Sequence, residues 1–173
     1  MPRYDLPNKA PEPLRLVQRL VNTVDFERDR DWLADLLAEE GVRATPAELE
    51  RAREAREAIR ELLYANNRQP LAGDPHAVLR RAADRAGLEL DLEAPALVPA
   101  ATGVDGLIGQ VLAVVYLAMV DGSWGRLKAC RNHGCRWAFY DYSRNRSASW
   151  CSMQLCGNRT KTRAYRRRHG TAA

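Results

Sequence analysis

The chain has 173 residues, 46 % of them hydrophobic, which is enough for one good-sized core and excludes a disordered chain. Its net charge of +5 conceals two opposite parts: from Arg126 onward there are 12 Lys and Arg against the single acid Asp141, a net of +11, whereas residues 1–125 carry 15 basic and 21 acidic side chains, a net of −6. That division points to a polyanionic partner for the C-terminal part.

Residues 1–13, MPRYDLPNKAPEP, form a proline-rich lead-in with no apolar run that suits a secretory signal, so a cytoplasmic location is expected. Leu14, Val17, Leu20, Val21 and Val24 then fall at helical spacing and predict a first amphipathic helix over 14–24. A short second helix is expected over Asp31–Glu40, with Trp32, Leu33, Leu36 and Leu37 inward and Gly41 as its stop. At Thr45-Pro46-Ala47-Glu48 an N-cap threonine, a proline at the first helical position and a glutamate three residues on make a capping box, opening a helix to about Tyr64. Leu49, Ala52, Ala55, Ile59, Leu62 and Leu63 form its apolar face, and the Arg and Glu residues between them are expected to form a solvated one. Asp74-Pro75 repeats the capping pattern for a helix through Ala86 that Gly87 ends.

Leu88 to Glu93 alternates with period two, and Ala96-Leu97-Val98 follows a proline turn, which predicts a small antiparallel hairpin. Val104–Val120 is apolar on nearly all sides. It contains Asp105 and Gln110 and falls short of the ~20 residues of a bilayer span, so it reads as a buried core helix, with no membrane contact expected and Asp121–Gly125 as a hinge. The expected architecture is mainly α with a small β-hairpin: lead-in 1–13, helical domain 14–125, and a C-terminal module over 126–170.

All four cysteines lie in that module, as Cys130 and Cys135, then Cys151 and Cys156. In a reducing compartment disulfides are disfavoured, leaving metal ligation or free thiols. Two close pairs favour metal, because each can supply one edge of a zinc tetrahedron. His133 is a competing ligand; coordination by all four cysteines, with His133 on the loop surface, is the preferred reading. Four thiolates close the coordination sphere, and no neighbouring carboxylate or histidine cluster offers a general base, so one structural Zn2+ and no enzymatic activity are expected. Between the pairs, Arg136–Asp141 reads as a strand with Trp137 and Phe139 on one face and residues 142–147 as a turn, with Ser149 as the N-cap of a following helix. Knuckle, strand, turn and helix in that order describe a treble-clef-like zinc module. Positions 151 and 156 stand about 140° apart on a regular helix, so Cys151 is expected at its very start or in a bent first turn.

That helix is expected to run to Arg168 and is strongly basic. Arg159, Arg163 and Arg166 share a face, flanked by Lys161, Arg167 and Arg168, with no acid among them. Asn158 precedes them, and Arg144, Asn145 and Arg146 sit on the turn that leads in. Arginine forks suit phosphate oxygens and guanine edges, so these ten residues are the candidate nucleic-acid contacts, most of them positioning rather than specifying. Trp137 and Trp150 are expected against the metal loop.

The run Cys130-x4-Cys135-Arg136-Trp137-Ala138-Phe139-Tyr140-Asp141, with Ser143-Arg144-Asn145-Arg146-Ser147, Trp150-Cys151-Ser152-Met153 and Cys156-Gly157-Asn158-Arg159, resembles the CGNR zinc-finger family. Upstream, Leu20-Val21-Asn22-Thr23-Val24-Asp25 resembles the Asn-Thr element of the ABATE domain that commonly precedes this finger. The resemblance implies a bacterial stress-induced transcription regulator with the finger as its DNA-binding part and duplex DNA as its partner. The acidic helical domain would then dimerise, bind a small ligand or contact another protein. Asn22 and Thr23 are candidates either for lining a ligand pocket or for buried hydrogen bonding that fixes helix packing. A zinc-stabilised RNA- or protein-interaction module is the alternative from another class.

Overall fold

The computed structural model describes residues 8–162. Helix α1 (Leu14–Val21) buries Leu14, Val17, Gln18, Leu20 and Val21 along one stripe. It ends at Val21 rather than Val24, because Asn22 and Thr23 turn their polar side chains to tertiary partners. The chain then leaves as strand β1 (Val24–Asp25), which pairs antiparallel with β2 (Arg30–Asp31). Helix α2 (Leu33–Glu39) stops before Gly41, whose φ of +73° suits a residue without a Cβ. Helix α3 (Pro46–Asn66) opens with the full capping box: Thr45 accepts from the Glu48 amide, and Glu48 Oε2 accepts from the Thr45 amide at 2.8 Å. Helix α4 (Pro75–Ala86) is capped by Asp74 and closed by Gly87 in the left-handed region.

Strands β3 (Leu88–Asp91) and β4 (Ala96–Pro99) form the expected hairpin, with Leu88 opposite Pro99. Helix α5 (Gly103–Val120) has the length and apolarity of a membrane span, but half of it is buried inside this fold. It is the centre of the core. A Cβ at Gly109 would lie 2.7 Å from Pro99 and 2.8 Å from Ala86, so this glycine lets α4 and β4 close onto it.

A 3-10 turn (Trp124–Arg126) leads into β5 (Leu127–Ala129), which pairs antiparallel with β6 (Ala138–Tyr140), Lys128 opposite Phe139. Only β6 was expected; β5 is too short to show a period. The hairpin has two allegiances. Leu127, Ala129, Ala138 and Tyr140 join the helical core, whereas Phe139 and the flanking Cys130 and Trp137 form a second cluster with Cys135 and Cys156. In the segment read as a hinge, Asp121 and Gly122 are exposed, but Trp124 is buried, and Asn66 Nδ2 donates to the carbonyls of Trp124 and Leu127, each at 2.9 Å.

The expected solvated face of α3 requires correction, since Arg56 and Arg60 are buried, Arg60 completely. Arg60 donates to the Val21 carbonyl at 2.5 Å, the Arg136 carbonyl at 2.8 Å and Glu57 at 2.9 Å. Arg56 donates to Thr23 Oγ1 and both carboxylate oxygens of Asp31. A guanidinium can occupy a core when its donors are matched in this way.

Candidate metal centre and nucleic-acid interface

The first cysteine pair is held by Asn132. Its carbonyl accepts the amides of Cys135 (2.8 Å) and Arg136 (3.0 Å), its Oδ1 accepts from Gly134, and its Nδ2 donates to Cys156 Sγ at 3.5 Å. The Cys130 amide donates to the Trp137 carbonyl at 2.8 Å, which closes the knuckle onto the hairpin. Arg136, at φ +54°, turns the chain into β6. Its guanidinium donates to Glu61 and Tyr64 of α3 and lies 4.9 Å from the ring centre of Phe26. His133 is exposed on the loop, away from ligation by the four sulfurs.

The second pair corrects the expected helix start. Ser149 is not a cap; its carbonyl accepts from the Arg131 amide and from Asn67 Nδ2 at 3.1 Å. The helical turn begins instead at Met153, capped by Ser152, whose Oγ accepts the Leu155 amide. It is a π turn (Met153–Gly157), with the Gly157 amide reaching back five residues to the Ser152 carbonyl at 3.0 Å. Regular helix follows over 158–162. Cys151 thus lies just outside the turn and Cys156 within it, which resolves the 140° mismatch of a regular helix.

The four Sγ atoms lie within 4.8 Å of one another. Cys135 and Cys151 approach to 3.6 Å, and Cys151 and Cys156 to 3.7 Å. A tetrahedron with Zn–S bonds of ~2.3 Å has edges of ~3.8 Å. Hydrogen bonds from the Cys135 and Cys151 thiols push Cys130 down to about 3, while the contact with Cys130 pushes Cys135 and Cys151 up. Sulfurs packed this closely repel one another as thiolates, and a dication at the centre offsets that repulsion. The soft, closed, tetrahedral donor set fits one structural zinc.

Beside the metal centre lies a pair that sequence reasoning missed. Lys128 and Asp141 are both buried, with Nζ 2.7 Å from Oδ2. Lys128 also donates to the carbonyls of Arg146 (2.6 Å) and Ala148, and Asp141 accepts the amides of Ser143 and Ala148. This pair shapes loop 142–147, on which Arg144, Asn145 and Arg146 are exposed. Asn158 and Lys161 are also exposed, Asn158 donating to the Gln154 carbonyl. Arg159 is turned toward the helical part, 2.6 Å from Glu27. Arg163, Arg166, Arg167 and Arg168 lie outside the described residues.

Asn22 and Thr23 are fully buried and serve packing. Asn22 donates to the Ala138 carbonyl (2.9 Å) and accepts its amide (2.7 Å), while Thr23 donates to Leu20 and accepts from Arg56. Of the two alternatives, these contacts are those of buried hydrogen bonding: Asn22 clamps β6, and the cavity beside the metal centre is lined by other residues. Asn22→Ala strands the buried Ala138 amide, and unfolding titrations should report a loss of about 1–3 kcal/mol. A loss under about 0.5 kcal/mol would remove the clamp.

Two family models match the chain. Residues 14–121 match ABATE, described as "Putative stress-induced transcription regulator", and residues 126–169 match the CGNR zinc finger. No curated protein matches.

Proposed function

The chain belongs to the ABATE family and carries a CGNR zinc finger, and from that premise we propose that it regulates transcription by binding duplex DNA through the basic face of the finger. One observation carries this reading: the only acid after residue 125, Asp141, is buried against Lys128, so the finger's own exposed charge is entirely basic. Arg144 and Arg146 on the loop and Lys161 on the helix face solvent without any acid of the finger beside them. Arginine forks and lysine charge in that arrangement suit phosphate. The exposed pair of Arg159 with Glu27 is worth under about 1 kcal/mol, so phosphate can compete for Arg159 too. In this reading the metal is structural and the protein no enzyme, and the acidic helical part serves as sensor or dimerisation unit.

The test is duplex-DNA binding across a salt series on zinc-loaded chain. Replacing Arg144 and Arg146 by Gln should weaken binding to every sequence and flatten the log–log salt slope by about 0.9 for each phosphate that is no longer neutralised. An unchanged slope means that the loop does not touch the DNA backbone. Tighter binding to single-stranded RNA than to duplex DNA would replace this reading by the RNA-module one.

A further inference from the structure

A structural zinc site normally hides its sulfurs, yet three of these four line a cavity of about 460 Å³ between the π turn and the β1–β2 turn. Cys135, Cys151 and Cys156 form part of its wall with Trp137 and Leu155, whereas Cys130 does not border it. The sulfurs also differ in protection. Cys130 is wholly buried and accepts backbone amides from Asn132 and Cys151; Cys156 is buried and accepts from Asn132 Nδ2. N–H donors draw charge from a thiolate and lower its nucleophilicity. Cys135 and Cys151 face each other at 3.6 Å, and Cys151 is the least buried of the four.

We propose that Cys151 and Cys135 are an oxidation site, at which hydrogen peroxide entering the cavity converts the pair to a disulfide and opens the metal centre. The Cys151 thiolate attacks a peroxide oxygen; the O–O bond breaks, hydroxide leaves, and Cys151 becomes a sulfenic acid. The Cys135 thiolate then attacks that sulfur and expels a second hydroxide as the S–S bond forms. Two thiolates lose two electrons, the peroxide gains them, and the two hydroxides take protons from solvent to become water. Ligation falls from four sulfurs to two, and the metal is released. The inference rests on the metal site and not on DNA binding.

The test treats zinc-loaded full chain with hydrogen peroxide, reading released metal with a chromogenic chelator and mapping cross-links by peptide mass spectrometry. Zinc should appear in step with a Cys135–Cys151 disulfide, and thiol reductant with added zinc should restore the site. Leu155→Trp, at an exposed position on the cavity wall, should slow release by at least ~5-fold, because thiolate oxidation follows access. Brief alkylation of the unmodified zinc-loaded chain should label Cys151 or Cys135 before Cys130. Zinc retained under peroxide, a first cross-link that includes Cys130 or Cys156, Cys130 labelled first, or an unchanged release rate in a folded Leu155→Trp variant overturns the proposal.

Discussion

Stripping the zinc with a chelator, or replacing Cys156 by Ser, should unfold the finger, with a loss on the scale of ~10 kcal/mol for a structural zinc site, and should abolish the duplex-DNA binding proposed above. The disturbance should travel further than the finger. Ala138 bonds Asn22 at the end of α1, Asn67 Nδ2 at the end of α3 donates to the Ala129 carbonyl at 2.7 Å, and Leu127, Ala129, Ala138 and Tyr140 are part of the helical core. Hydrogen exchange with and without metal is the measurement: protection should collapse over 130–162 and fall measurably in β5, at the end of α1 and in the last turn of α3. Unchanged protection in those helical segments would mean that the β5–β6 hairpin holds its place without the metal.

Lys128→Met should cost about 3–5 kcal/mol, because it removes the partner of a buried carboxylate rather than a pair as a whole. It also frees two backbone carbonyls of loop 142–148 that Lys128 ties down. Burial alone would raise the Asp141 pKa, but hydrogen bonds from Lys128 and Ser143 outweigh it and hold the carboxyl below the ordinary 3.8. Its contribution is therefore complete above that value and is lost as pH falls through the depressed one. Denaturant titrations from pH 7 down to 2 should show that acid limb in the native chain and a smaller one in Lys128→Met. The double variant Lys128→Met, Asp141→Leu should recover much of the loss; no recovery would place the cost elsewhere than in the unpaired carboxylate.

Local chemistry made part of this fold legible. Capping at Thr45 and Asp74, the left-handed stops at Gly41 and Gly87, and the period-two hairpin at 88–99 each depend on residues close together in sequence, and each is found within about a turn of its expected place. The four cysteines were legible for another reason: their spacing is itself the ligand geometry. What stayed hidden is long-range. Arg56 and Arg60 have the helical spacing of solvated residues, and besides the nearby Glu57 it is the Val21 and Arg136 carbonyls, 39 and 76 residues from Arg60, that match its donors in the core. Lys128 looked like one more basic side chain until Asp141 came across from the neighbouring strand end. Ser149 and Ser152 are equally good caps by composition. The π turn chooses Ser152, because the four residues between Cys151 and Cys156 must leave both sulfurs facing one centre.

The paired asparagines at the end of α3 carry a consequence for geometry. Asn66 holds the chain on its way into the finger, and Asn67 grips both the end of β5 and the approach to Cys151. A reading head on a flexible tether can accept targets at many separations and angles. One tied by four side-chain hydrogen bonds to the end of a 21-residue helix has its orientation set by the body that carries it.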